Sequence, residues 1–310
     1  MRGLRFNQCG NFNERYEQEL TIFETDFGRL WLGIGLFLLF AVVPFVSPKY
    51  ILYIINNIGI AAIAAIGLNI LIGYTGQISL GHGAFFGVGA YTAAILATDL
   101  RFPIWISVPS AGLVTAVVGT IFGLPSARLK HLYLTIATLA GQFIFQYIFV
   151  HWKAITKGPE GIIIPRGTLF GIPLNDDKSF FWAIFFCFVV TTWMAVNLIR
   201  TRYGRAFRAI RDNDRAAEGM GIPIFPYKLL SFAISSFYAG FAGGLWAHYI
   251  GSITPEPFTL LLSVEYIAMI IIGGLGSITG SVFGAIFIIG LNELLSELTQ
   301  FLMNLRAFTG

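Results

Sequence analysis

What a chain like this can fold into is governed first by where its charges are missing. No Asp, Glu, Lys or Arg occurs between Arg29 and Lys49, Lys49 and Asp99, Arg101 and Arg128, or Lys130 and Lys153. The same holds between Lys178 and Arg200, Lys228 and Glu256, and Glu265 and Glu293. A helix needs about 20 predominantly apolar residues to cross the hydrocarbon core of a bilayer. Each interval therefore fits one crossing, and the interval from Lys49 to Asp99 fits two. Backbone N–H and C=O groups cannot stay unpaired in lipid, which leaves helices or a closed barrel. The apolar runs are long and lack the polar alternation of barrel strands, about ten residues each, so helices are expected. Composition agrees: 12% of the residues are charged, against about 25% in soluble domains.

The expected spans are residues 30–47, 50–72, 84–98, 104–124, 132–150, 180–199, 229–250 and 264–295, the last interrupted by glycines at 273–280. The predicted fold class is all-α: a polytopic transmembrane helix bundle of eight to ten membrane segments, with broken or re-entrant glycine-rich stretches. Residues 1–29 form an N-terminal tail, 30–295 the membrane domain and 296–310 a C-terminal tail. The N-terminal tail has no early apolar core and no small-residue cleavage site, so the first span is expected to act as an uncleaved insertion signal. Two loops of 29 residues can carry polar structure. Seven basic residues in 200–228 against four in 151–179 place the former in the cytoplasm and the latter outside. Arg128 and Lys130, one crossing further, then fall inside, as does the N-terminal tail. Basic residues between spans fit membrane orientation and not nucleic-acid binding. Cys9 and Cys187 make no disulfide framework. The four histidines (His82, His131, His151, His248) lie in separate segments, so no metal site is expected.

Three segments stand out. Residues 73–83, Gly-Tyr-Thr-Gly-Gln-Ile-Ser-Leu-Gly-His-Gly, interrupt an apolar stretch, and each glycine destabilises a straight helix by about 1 kcal/mol relative to Ala. Irregular backbone at membrane depth is tolerated where it is buried in protein or lines a wet cavity. That makes Gly76, Gln77, Ser79, Gly81 and His82 candidates for a substrate path. An aqueous loop joining two spans is the alternative, and composition does not separate the two. In the second break Gly276, Gly280 and Gly284 recur every four residues, so they share a face if the segment is helical and permit close helix packing. Glu265, at the start of this span, reads as a solvated cap.

The third segment is the basic loop. Asp212 or Asn213 can cap a helix, and Gly221 with Pro223 suits its end. The short helix between them is expected to expose Ala216, Ala217 and Met220, with Arg211, Arg215 and Glu218 around them. So short a helix needs a partner for stability, which points to a docking element for a cytoplasmic subunit. The competing reading is a basic loop on anionic headgroups. The sequence contains no G-x-x-x-x-G-K-[ST] phosphate loop, no H-E-x-x-H and no G-x-S-x-G. It shows no embedded cluster of ionisable groups that would couple a secondary transporter or channel to an ion, and no paired catalytic groups of a membrane enzyme.

Four stretches in order carry a family resemblance: 73–92 (GYTGQISLGHGAFFGVGAYT), 157–162 (KGPEGI), 204–222 (GRAFRAIRDNDRAAEGMGI) and 263–280 (SVEYIAMIIIGGLGSITG). From about residue 50 to 295 the chain resembles the LivM-type permeases of ABC importers for branched-chain amino acids. The resemblance implies a bacterial inner-membrane subunit paired with a LivH-like permease. It further implies two ATP-binding subunits beneath, which use ATP and Mg, and a periplasmic solute-binding protein above. No cofactor is implied for this chain. Residues 73–83 would match the family's motif in the first half of the pathway, and 212–221 its coupling segment. Two features depart from the pattern: a long N-terminal tail, and Gln142 in a neighbourhood where many members carry glutamate. Both bear on cargo, for which urea, short amides or aromatic acids are the alternatives.

Because the chain lacks a phosphate-cradling loop, the purified chain without partners is expected to show no ATPase activity above a mock preparation in a phosphate-release assay.

Overall fold

The uncharged runs close their backbone hydrogen bonds as helices, as lipid requires. A computed structural model describes residues 43–126, 131–165, 168–169, 172–173 and 176–309. The N-terminal tail, most of the first expected span, and Arg128 and Lys130 lie outside the described residues. The chain divides into two units, Met1–Leu52 and Tyr53–Gly310. In the first, the described part is a helical turn, Val43–Val46, and the opening of the first long helix.

The long helices are α1 (Lys49–Asn69, prolonged by a π turn at Ile70–Tyr74), α2 (His82–Thr98), α3 (Ile104–Ser126), α4 (His131–His151) and α5 (Asp177–Arg200). Two short helices follow, α6 (Arg202–Asp212) and α7 (Asp214–Gly219), then α8 (Ile224–Ile250), α9 (Leu260–Gly273) and α10 (Ile278–Thr309). Among the described residues six helices are long and apolar enough to cross a membrane: Lys49–Tyr74, Ile104–Pro125, Tyr133–His151, Asp177–Arg200, Ile224–Ile250 and Ile278–Gln300. Two more apolar helices, α2 and α9, are shorter. The protein is thus an all-α polytopic membrane protein. Residues 264–295, expected as one interrupted span, are two helices, and α10 runs on through the stretch expected as a C-terminal tail.

Contacts between loops sort the helix ends into two sides. Strands β1 (Ile162–Ile163) and β4 (Ser252–Ile253) pair antiparallel, with Ile163 opposite Ser252. The loop after α4 and the loop after α8 therefore share a side. A separate small hairpin, β2 (Thr168–Leu169) with β3 (Ile172–Pro173), lies within the first of these loops. Asp177 at the start of α5 belongs to that side as well: its carbonyl accepts from Asn56 of α1 and its carboxylate from Tyr249 at the end of α8. The KGPEGI stretch supplies the geometry of the first loop. Lys157, Gly158 and Gly161 all have positive φ, and a Cβ on Gly161 would collide with the Ile253 carbonyl across the strand pair. On the opposite side lie the end of α1, the starts of α4 and α8, and the basic helices α6 and α7.

The core is built on close crossings. A Cβ on Gly89 of α2 would fall onto the backbone of Gly240 in α8, one on Gly240 onto Thr115 of α3, and one on Gly243 onto the Phe86 carbonyl. Small residues let the backbones meet, and dispersion contacts hold such helices together where the solvent is as apolar as their side chains. Phe85, Phe86, Tyr91, Phe149, Phe232 and Phe258 fill the space around this triad. Helices α9 and α10 form a separate antiparallel hairpin: Gly273 meets Gly280, Met269 meets Gly284, and Glu265 meets Asn292. With 14 residues, α9 is about 21 Å long, short of the ~30 Å hydrocarbon thickness.

The strand pairing sets a labelling pattern. Single cysteines at Ile163 and Ser252 are expected to react with a membrane-impermeant maleimide from outside intact cells, and one at Met220 only after permeabilisation. Reaction of Met220→Cys from outside would reverse the orientation.

Candidate functional site

The break at residues 73–83 starts as a widening of α1. After the π turn, Thr75 donates its hydroxyl to the Ile70 carbonyl at 3.0 Å, and the Gly76 and Gln77 amides return to Ile72 and Leu71. Gly76 has φ +74°, a left-handed conformation open to glycine at little cost. The chain then climbs through the protein, with Ile78 its one exposed large side chain. Gln77 donates to Ser231 Oγ at 2.7 Å and to the Lys228 carbonyl. The Leu80 amide donates to Thr138 Oγ1, and buried Ser79 accepts weakly from the Gly81 amide at 3.4 Å. His82 lies 3.0 Å from the Ala64 carbonyl through Nε2; a carbonyl only accepts, so Nε2 carries the proton. This is a broken segment packed inside protein, not an exposed loop.

Helix α2 therefore begins at membrane depth, where its first amides have no water to meet. Two distant side chains take them. Gly83 N–H donates to Ser263 Oγ of α9 at 2.8 Å, and Ala84 N–H to Gln142 Oε1 of α4 at 2.7 Å. Gln142, wholly buried, also donates its Nε2 to the Phe258 carbonyl at 3.0 Å and accepts from Ser263 Oγ. A glutamate there would still cap α2 but would set an acceptor against the Phe258 carbonyl. The amide suits both partners.

The second break, between α9 and α10, is locked to the first by Asn69. Its side-chain nitrogen lies 2.6 Å from Ser281 Oγ, 2.8 Å from the Ser277 carbonyl and 3.3 Å from the Gly274 carbonyl; its oxygen accepts from the Gly276 amide at 2.8 Å. Gly276 lies in the turn with φ +79°, outside the helix and off the face expected to join it to Gly280 and Gly284. There is no room at Gly73 either, where a Cβ would strike Asn69 Oδ1 and the Gly276 amide. Gly280 and Gly284 do face α9, and a Cβ on them would meet the carbonyls of Gly273 and Met269.

The basic helices meet both breaks. In α6, Tyr203, Phe207 and Ile210 point inward between outward arginines, and the Thr201 hydroxyl accepts from the Tyr203 amide. Asn213 caps α7 by accepting from Arg215 and Ala216. Arg211 Nη1 donates to the Gly73 carbonyl at 2.5 Å, its aliphatic stem lies against Gly76, and the same nitrogen blocks a side chain at Gly276. The Arg208 guanidinium sits 5.9 Å from the centre of the Tyr74 ring. Lys228 of α8 pairs with Asp214 of α7 at 2.6 Å.

Of the residues expected to line a path, Gly76 and Gln77 border a pocket of about 20 Å³ and Gly81 another of about 10 Å³, each room for roughly one water. Neither cavity is lined by all five of them. Of those expected to dock a partner, Arg211, Asp212, Arg215, Ala216, Glu218, Met220 and Gly221 are exposed, with Met220 at 72%. Ala217 is the exception: it is fully buried, because α7 is seated against α8 through that side. The sequence did not reveal Asn69, Ser263, the capping role of Gln142, or that Arg202–Asp212 forms a helix of its own. Tyr203, Phe207 and Ile210, spaced at four and three between arginines, were the available signal for α6. Glu265, expected as a solvated cap, is half-buried more than one turn into α9 and accepts from Asn292 at 3.0 Å. Among the described residues there is no group of three or more His, Cys, Asp or Glu able to hold a metal.

Glycine-broken helices in an apolar polytopic bundle, joined to the basic helix α6 and the exposed α7, are those of a multi-pass membrane protein. The chain belongs to the family described as the permease component of branched-chain amino acid transport systems, whose model matches residues 50–309. It is 32% identical over 284 residues to the high-affinity branched-chain amino acid transport system permease protein LivM of Salmonella typhimurium, covering 84% of this chain and 67% of that one. To LivM of Escherichia coli (strain K12) it is 32% identical over 294 residues, 87% and 69% of the two chains. It is 24% identical over 258 residues to LivH of the same bacterium, the permease protein of a high-affinity branched-chain amino acid transport system, with 76% and 81% covered. No solved structure matches it significantly.

Replacing Asn69 with Leu removes the lock between the breaks. At roughly 0.6 kcal/mol per interhelical bond in membranes, the loss is expected to be on the order of 2 kcal/mol, read as a lower midpoint of thermal unfolding in detergent. Gly280→Leu is expected to force α9 from α10 and impair assembly, measured by co-purification of the complex.

Proposed function

We propose that the chain is the LivM-type permease subunit of an ATP-driven importer for branched-chain and other hydrophobic amino acids. It works in the bacterial inner membrane beside a LivH-like permease, with two ATP-binding subunits below and a periplasmic solute-binding protein above. Counting α2, α9 and the apolar stretch at 30–47 with the six long helices gives nine membrane segments, within the eight to ten expected. Identity to LivM along most of the chain supports the cargo class, and similarity to LivH supports a partner of related fold.

The observation that carries the mechanism is the position of Arg211. It ends α6, directly before the exposed surface of α7, and its guanidinium bonds to the first break and abuts the second. An ATP-binding subunit gripping Ala216 and Met220 would thus act on both glycine breaks through one side chain. Methionine adapts to an irregular pocket, and Asp212, Arg215, Glu218 and Gly221 surround it with polar register. ATP and Mg remain with the partner. The candidate path residues Gly76, Gln77, Ser79, Gly81 and His82 serve in this reading as the frame that moves.

The test uses the complex reconstituted in liposomes with leucine and its binding protein. Met220→Glu and Ala216→Trp are expected to weaken co-purification of the ATP-binding subunit. Arg211→Ala is expected to leave association intact while uptake per ATP hydrolysed falls about tenfold, the loss of one charge-assisted hydrogen bond. If α7 only met lipid headgroups, Ala216→Trp would be tolerated and the basic residues alone would matter. Normal coupled uptake by all three variants would overturn the docking assignment.

A further inference from the structure

An unassigned feature among the membrane helices is a cleft of about 220 Å³ between α1, α9 and α10, floored by Phe86 of α2 and Trp246 of α8. Its lining combines Ile60, Phe86, Trp246, Leu262, Tyr266 and Met269 with the polar side chains of Asn57 and Glu265. Asn292 adds a third polar group by donating to Glu265 Oε1. The amide nitrogen of Asn57 is engaged by the Tyr53 carbonyl of its own helix, which leaves its oxygen on offer. Neither that oxygen nor Glu265 Oε2 has a hydrogen-bond partner among the described residues.

A carboxylate costs roughly 2.5–3.5 kcal/mol at the centre of a lipid-facing helix and ordinarily faces a wet cavity or a counter-charge. Here, more than a turn into α9, it has an apolar wall on one side, the Asn292 amide on it, Asn57 across the same cleft and no cation in contact with it among the described residues. Complete small-molecule sites measure about 300–1,000 Å³, so a cleft of about 220 Å³ is too small to be a whole one.

We propose that the cleft is half of the cargo site, in which Glu265 binds the ammonium group of an α-amino acid while the aromatic and aliphatic wall takes its apolar side chain. Asn292 holds the Glu265 carboxylate by donating to it, the Asn57 amide oxygen accepts from the same ammonium group, and a second permease subunit closes the open face. The inference rests on the amino-acid importer reading and specifies the group that reading leaves open. The path residues at 73–83 contribute from behind: His82 packs edge-on against Tyr266, with ring centres 5.4 Å apart.

Two experiments on the assembled complex test it. In proteoliposomes with leucine-loaded binding protein, Glu265→Gln, which keeps the shape and the acceptor for Asn292, is expected to lower leucine uptake about tenfold or more. Stimulation of ATP hydrolysis by the binding protein should persist. Unchanged uptake would overturn the site but leave the importer reading standing; no amino-acid uptake by the parent complex would overturn that reading itself. The second needs no change at Glu265. In a background with Cys9 and Cys187 replaced, a Leu262→Cys protein is expected to react faster with a cationic than an anionic methanethiosulfonate, and leucine transport conditions should slow both. Equal rates for the two reagents would count against a carboxylate-lined site even if Glu265→Gln failed to assemble.

Discussion

A backbone amide shut away from water must find its partner in the protein, and this protein interrupts its membrane helices twice. A buried group left unpaired costs about 1–3 kcal/mol, so several orphans would offset much of the 5–15 kcal/mol that holds a typical domain together. Asn69, Gln142 and Ser263 supply the missing partners. None belongs to the segment it satisfies, and each capping bond is also a tie between helices far apart in sequence. What makes the breaks affordable is therefore also what fixes their positions.

Electrostatics extend the same arrangement to the basic side. The Gly73 carbonyl lies in the last turn of α1, where unpaired carbonyls leave partial negative charge. Arg211 brings a permanent cation to it, and the exposed helix pair is thereby oriented against the bundle. The Lys228–Asp214 pair adds a modest, partly solvated contribution, at most about 1 kcal/mol for an exposed pair. Its larger effect is geometric, since it holds the start of α7 to α8.

Helix identity was legible in the sequence because lipid leaves few alternatives. The uncharged intervals bounded most helices closely, and the family stretches marked both breaks and α7. Depth was not legible. Nothing in residues 73–83 says that the chain turns back upward inside protein, because the partners of its polar groups lie up to 180 positions away, as for Gly83 and Ser263. Ala217 and Gly276 show the same limit. An alanine between charged residues reads as surface, yet it is the side of α7 that seats on the bundle. A glycine at four-residue spacing reads as a helical face, yet its positive φ ends the helix first. The acidic Glu265 read as a boundary residue because its depth depends on where α9 begins, a matter settled by the loop folded over it.

The crossing of Gly89 and Gly240 leaves no slack. Because backbone touches backbone there, α8 can neither slide along α2 nor press closer to it without a collision, and the crossing fixes it near its middle. One end carries Lys228, tied to α7; the other carries the strand that pairs with the opposite loop. With 27 residues the helix is about 40 Å long. A tilt of only about 4° would shift the far end relative to the near one by about 3 Å, the width of a single water layer.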